Sequence, residues 1–178
     1  MKKTQVLKIA KDVIVRIKAK QYYPRTGLFV AFGDLEDKSI SNIYGQSIKE
    51  NFNLILENKA CQTCALGACF MSYVKDHNKC NFGQEHIYND GNAITYRLLP
   101  IFGEQLALIE NAYERGSGFF RRFSDLEGTE QYQASKYAYF DIEDDSARLL
   151  AIMRNIVRNN GEFIIPRAAY RKYHALGL

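Results

Sequence analysis

Four cysteines fall within the segment ACQTCALGACFMSYVKDHNKC, residues 60–80, and two of them form Cys61-x-x-Cys64. After twelve further residues comes His77-x-x-Cys80. Two close pairs of soft ligands at this separation suit zinc: each pair can bind from one turn of chain, and four thiolate or imidazole donors close a tetrahedron. Cys69 is a bystander in such a site. Cys-x-x-Cys at a helix start also depresses a thiol pKa in redox proteins, but the buried strand that precedes it there is not evident in the sequence. Against both, Gln62 and Thr63 lead directly into an apolar run instead of a Gly-containing knuckle, and free cysteine often behaves as a small buried hydrophobe. Core packing is therefore the expectation, with no cofactor, and zinc on Cys61, Cys64, His77 and Cys80 is the alternative.

A second segment with chemical potential is GSGFFRRF, residues 116–123. Phe119, Phe120, Arg121 and Arg122 follow a flexible turn, a combination that stacks bases or nucleotides between ring and guanidinium and holds phosphate with charge. The same residues suit a membrane surface or a partner protein equally, and the preferred reading is a loop tucked on its own core with the cationic heads in water. Arg154 and Arg158 lie four apart on the polar side of a C-terminal helix. Their position at the negative end of the helix dipole gives them a structural reason before a functional one.

Other chemistries find little support. Cys80 with His77 or His86 lacks a third, orienting residue for a hydrolase. Glu104, Glu110 and Glu114 can be drawn as a two-carboxylate site, yet acids on the first and outer turns of a helix are ordinary. No glycine run leads into Lys-Ser or Lys-Thr, so a phosphate-binding loop is absent, and the Asn81 to Asn92 stretch lacks the alternating oxygen ligands of a calcium loop.

These residues need elements to position them. At 100° per residue the cysteine segment sets Cys61, Cys64, Ala65, Ala68 and Ser72 on one small face, with Leu66, Cys69, Phe70, Met71, Tyr73 and Val74 around the rest. A helix apolar nearly all round is a central helix, and this one is too short to cross a membrane. Before it, Val6, Ile9, Ala10, Val13 and Ile17 predict an amphipathic helix from Lys3 to Lys20, stopped at Tyr22-Tyr23-Pro24. Gly27 to Phe32 reads as a strand, with Ser39 to Tyr44 its nearest candidate partner. Ser47 to Glu50 matches a capping box for a short helix reaching Asn58.

After the cysteine helix, Asn81 to Asn92 reads as loop. Phe102 to Arg115 returns to helical spacing, with Glu110 and Glu114 on the outer face. Thr129 to Tyr139 is weakly helical. Asp141 to Gly161 is a strong helix with an apolar stripe of Leu149, Ile152, Met153, Ile156 and Val157, capped by Asp144 or Asp145 and ended at Asn160-Gly161. An extended piece at Phe163 to Ile165 leads through Pro166 into a terminal basic helix. The expected fold is mainly α. A helical bundle, one domain over residues 1–178, surrounds the cysteine-bearing helix, with a small β element near residues 27–44, a loop free to move at 116–128 and a basic tail at 162–178.

The chain has 178 residues and a formal net charge of +4, unevenly spread. Residues 1–25 hold eight Lys or Arg against one Asp, and residues 146–178 hold six against one Glu, whereas the stretch between is acidic. The preferred reading is that oppositely charged segments neighbour one another in a monomer; a basic surface shared by the two ends and serving to bind anions is the alternative. The first apolar residues are interleaved with Lys8, Lys11, Asp12 and Arg16, unlike a signal peptide, so a cytoplasmic location with reduced cysteines is expected.

Cys64-Ala-Leu-Gly-Ala-Cys-Phe70, Gln105-Leu-Ala-Leu-Ile-Glu-Asn-Ala-Tyr113, and Arg148-Leu-Leu-Ala-Ile-Met-Arg-Asn-Ile-Val157 with Asn160-Gly161-Glu-Phe163 carry a resemblance across residues 3 to 166. The chain resembles a group of small bacterial and phage-borne proteins of uncharacterised function. The resemblance implies a bacterial cytoplasm and a mobile-element or phage origin, and it transfers no catalytic residue. The expected function is non-catalytic interaction or regulation through a macromolecular partner, protein in preference to nucleic acid, with Phe119, Phe120, Arg121, Arg122, Arg154 and Arg158 at the contact. The alternatives are a zinc-supported domain binding nucleic acid or nucleotide, and a small-molecule enzyme.

Overall fold

The computed structural model describes residues 2–27, 30–32, 60–76, 91–116 and 126–177. They form helices α1 (Lys3–Lys18), α2 (Ala65–Asp76), α3 (Gly91–Phe102), α4 (Gln105–Tyr113), α5 (Glu130–Ser135), α6 (Asp145–Arg158) and α7 (Arg167–Ala175). Three short strands, β1 (Tyr22–Pro24), β2 (Val30–Phe32) and β3 (Cys61–Thr63), complete a mainly α architecture.

The stripe read in α1 is the one that is buried: Val6, Ile9, Ala10, Val13 and Ile17 all face the core, each Val and Ile contributing ~1.5–3 kcal/mol of burial if fully enclosed. Lys20 then adopts a left-handed conformation, φ 55°, and the chain enters β1. The sheet order is β1-β3-β2. β1 runs parallel to β3, pairing Tyr22 with Cys61, and β2 runs antiparallel to it, pairing Val30 with Thr63. β3 thus sits in the middle. The candidate partner strand at Ser39 to Tyr44 and the short helix ending near Asn58 lie outside the described residues.

α2 is the central cysteine-bearing helix, buried from Ala65 to Ser72 and again at Val74. It packs against α1, α3 and α4. Cys61 is not part of it. The Cys61–Thr63 segment is extended, because its backbone completes a ladder with two strands, and the small face starts instead at Cys64, Ala65 and Ala68.

A further helix appears between the expected Asn81 to Asn92 loop and the helical spacing that starts at Phe102, a stretch to which the sequence reading assigned no element. α3 begins at Gly91 and contains Pro100. Pro100 lies on the exposed side with Tyr96 and Leu99, whereas Leu98, Ile101 and Phe102 are buried, so packing of one face outweighs the lost backbone bond. α4 follows after Gly103, whose φ of 60° turns the chain. Every residue from Leu106 to Tyr113 is buried. Glu110 and Glu114 are therefore inside, 3% and 8% exposed, not on an outer face.

α6 carries the second strong stripe. Asp144 Oδ1 accepts the Ala147 N–H at 2.6 Å, and Leu149, Ile152, Met153 and Ile156 are buried. α6 and α1 lie antiparallel in the most extensive helix contact of the fold. Lys3 pairs with Glu162 just beyond the end of α6, whereas Asp145 at its start accepts the N–H of Thr26 beyond the end of α1. The approach is close: a Cβ on Gly161, φ 90°, would stand 2.5 Å from the Lys3 carbonyl oxygen. α7 packs on α5.

Candidate functional site

Cys61, Cys64 and Cys69 are free thiols, all buried. Cys64 sits between β3 and α2, where its Sγ accepts the Gly67 N–H at 3.5 Å. The pair is therefore a strand–turn–helix Cys-x-x-Cys, a context the sequence concealed because three residues of β3 give no periodicity. Its electrostatics oppose redox use. Burial pushes the Cys61 thiol up to about 12 and Cys69 up to about 12. Cys64 rises too, by burial first and then by the nearby Glu114 carboxylate. A redox-reactive cysteine needs the thiolate, and burial without a metal disfavours it at these three sites. His77 and Cys80 lie outside the described residues, among which no three Cys, His, Asp or Glu side chains gather as ligands.

A buried polar cluster instead joins the Thr26–Gly27 turn to α4 and α6. Arg148, 1% exposed, reaches it from the first turn of α6, where the chain places it beside the apolar stripe. Its Nε donates to the Tyr113 carbonyl at 3.0 Å, and Nη1 donates to the Ile142 carbonyl at 2.8 Å. Nη2 binds the Asp145 carboxylate, and the guanidinium lies over the Tyr113 ring, 5.2 Å from its centroid. The two carboxylates hold the turn: Asp145 Oδ2 accepts the Thr26 N–H at 2.9 Å and Glu114 Oε2 accepts the Gly27 N–H at 2.9 Å.

Burial raises Glu114 from 4.5 to about 7, with Asp145 adding to the rise and the Gly27 N–H and Arg148 opposing it. Such a shift marks many catalytic acids and bases. Here the carboxylate is engaged with backbone, and Tyr113 Oη, buried beside it, has no hydrogen-bond partner among the described residues. The arrangement is a clamp that ties a turn to two helices. Sequence reasoning missed it, although α4 offered a signal: Leu106, Ala107, Leu108, Ile109, Ala112 and Tyr113 surround the axis, so glutamates between them had to be buried.

Of the residues expected to make contacts, Arg154 and Arg158 are exposed, in the half of α6 that lies beside the lysine-bearing start of α1. Lys2, Lys3, Lys8 and Lys11 are exposed there as well. Phe119, Phe120, Arg121 and Arg122 lie outside the described residues. Gly116, where that segment leaves α4, belongs near the other end of α6, since the adjacent Arg115 donates to the Ile142 carbonyl at 2.8 Å. No helix among the described residues is long and apolar enough to cross a membrane. No family model, curated protein or solved structure matches the chain.

Proposed function

We propose that this is a non-catalytic interaction protein of a bacterial or phage-encoded system, working in the cytoplasm, whose basic α1–α6 face engages an acidic macromolecular partner, a protein in preference to nucleic acid. The supporting observation is the antiparallel packing of α1 on α6, which gathers basic side chains from the two ends of the sequence onto neighbouring helices. Lys11, Arg154 and Arg158 are exposed, Lys3 pairs with Glu162 at 2.5 Å, and Asp12, next to Lys11, is engaged by Arg16 on its own helix. Charges so placed raise association rates and select partners more than they stabilise the fold. The buried thiols and the Arg148 clamp, by contrast, have structural work that accounts for their placement.

The test is a photo-cross-linking residue replacing Lys11 in cells of the bacterial host, with Ala168 on α7 as the comparison site. A discrete adduct from position 11, absent from position 168 and lost when Arg154 and Arg158 are both replaced by Glu, supports the reading. Identical adducts from both sites, or none from position 11, would remove it. Nucleic acid in the adduct in place of protein would overturn the choice of partner class.

A further inference from the structure

We propose that α7 is a self-blocking helix: it covers an acidic, aromatic surface on α5 and the chain that follows it, and that surface takes a basic amphipathic helix of the same kind from a partner protein. The seated helix displays the chemistry that the surface accepts. α7 carries Arg167, Arg171, Lys172 and His174 and no acidic residue. Residues 127–145, on which it rests, hold six carboxylates against Lys136 alone.

Three consecutive residues of α7 make the contacts. Lys172 Nζ meets Asp141 Oδ1 at 2.7 Å and stands 4.4 Å from the centroid of the Phe140 ring. Tyr173 packs on Tyr137, ring centroids 6.5 Å apart. His174 Nε2 lies 2.9 Å from Glu130 Oε1. A ring with a carboxylate beside it holds a cation from two directions, and an aromatic next to that cation fixes the register of the helix that bears it.

The fastening is shallow. Ala169 is the one buried residue of α7, and both ion pairs stand open to water, with the side chain of Asp141 89% exposed and that of His174 59%. Salt screens such pairs, and each contributes little. What keeps the helix seated is its tether: the stretch at 162–166 is short, and a short tether gives an effective concentration on the order of millimolar. A partner helix with better contacts, or any loosening of α7, therefore exchanges the occupant. The surface does not use the basic side chains of the α1–α6 face and stands or falls independently of them.

The test is fluorescence anisotropy with a labelled peptide of the sequence of residues 166–178, titrated into the full chain. Wild type is compared with the double variant Lys172→Glu, His174→Glu, in which like charges face Asp141 and Glu130 and unseat α7. Amide exchange in that variant should quicken over residues 167–175 while α1 and α6 stay protected, and the peptide should bind it at least tenfold more tightly than wild type. Adding Glu130→Gln and Asp141→Asn should weaken that binding at least threefold. In wild type, rising salt should quicken exchange in α7 ahead of α1 and α6, a reading that needs no substitution. An α7 that stays protected under charge reversal and under salt overturns the proposal. So does a peptide that fails to bind the unseated variant, binds wild type equally well, or ignores the loss of both acids.

Discussion

Glu114 on α4 accepts the backbone N–H of Gly27 at 2.9 Å across 87 positions of sequence, which makes a buried carboxylate the anchor of the turn between β1 and β2. Because its pKa rises from 4.5 to about 7 on folding, the folded state holds the proton more tightly than the unfolded chain. The stability this gives is complete below about 4.5 and is lost as pH rises through about 7. Chemical denaturation should therefore show wild type weakening between mildly acidic and mildly alkaline pH. Glu114→Gln, which keeps an acceptor but cannot ionise, should gain roughly 1–3 kcal/mol on wild type at alkaline pH and little at acidic pH. A constant difference at all pH values would refute the assignment.

Arg148 links three segments through two backbone carbonyls and Asp145. Replacing it with Met should cost about 3–5 kcal/mol, because the buried Tyr113 carbonyl and the mostly enclosed Asp145 carboxylate lose their charged partner. Lys in its place keeps the charge without the planar fork and should recover only part of the loss. Thermal and urea unfolding of both variants measures this, and a loss below about 1 kcal/mol in each would show that the clamp is dispensable.

Gly161 should tolerate no side chain. Ala there would meet the Lys3 carbonyl oxygen at 2.5 Å in a left-handed conformation, forcing α1 away from the end of α6. Destabilisation of roughly 1–3 kcal/mol is expected, with faster amide exchange at the start of α1. Unchanged exchange there would mean that the two chain ends are not held together as described.

Much of this fold was legible because α1 and α6 each bury one clean stripe, and both Asp144 and Asn160-Gly161 act where their residue types suggest. What escaped detection had a physical cause in each case. The i, i+3 spacing of Cys61 and Cys64 fits a helical face, and only pairing with Tyr22 and Phe32 makes Cys61 part of a strand. Pro100 and the Asp90-Gly91 turn signal concealed α3, whose buried side tolerates a proline facing outward. Glu114 and Arg148 were read by residue type as surface groups or passed over, because partners in a distant turn and in the ends of other helices are invisible to local spacing.

The thiols give a chemical check. With burial holding Cys61 and Cys69 up to about 12 and raising Cys64 as well, alkylation of native protein at mildly alkaline pH followed by peptide mapping should leave these three cysteines unmodified until denaturant is added. Rapid labelling of Cys64 in the native state would reopen a redox role for the Cys-x-x-Cys pair.

The most direct test of the proposed function is the affinity of the purified cross-linked partner for wild type and for the Arg154→Glu, Arg158→Glu double variant, measured across a series of salt concentrations. The α1–α6 face predicts binding that weakens as salt rises and falls by about tenfold or more on charge reversal. Equal affinity for both proteins, unaffected by salt, would contradict it.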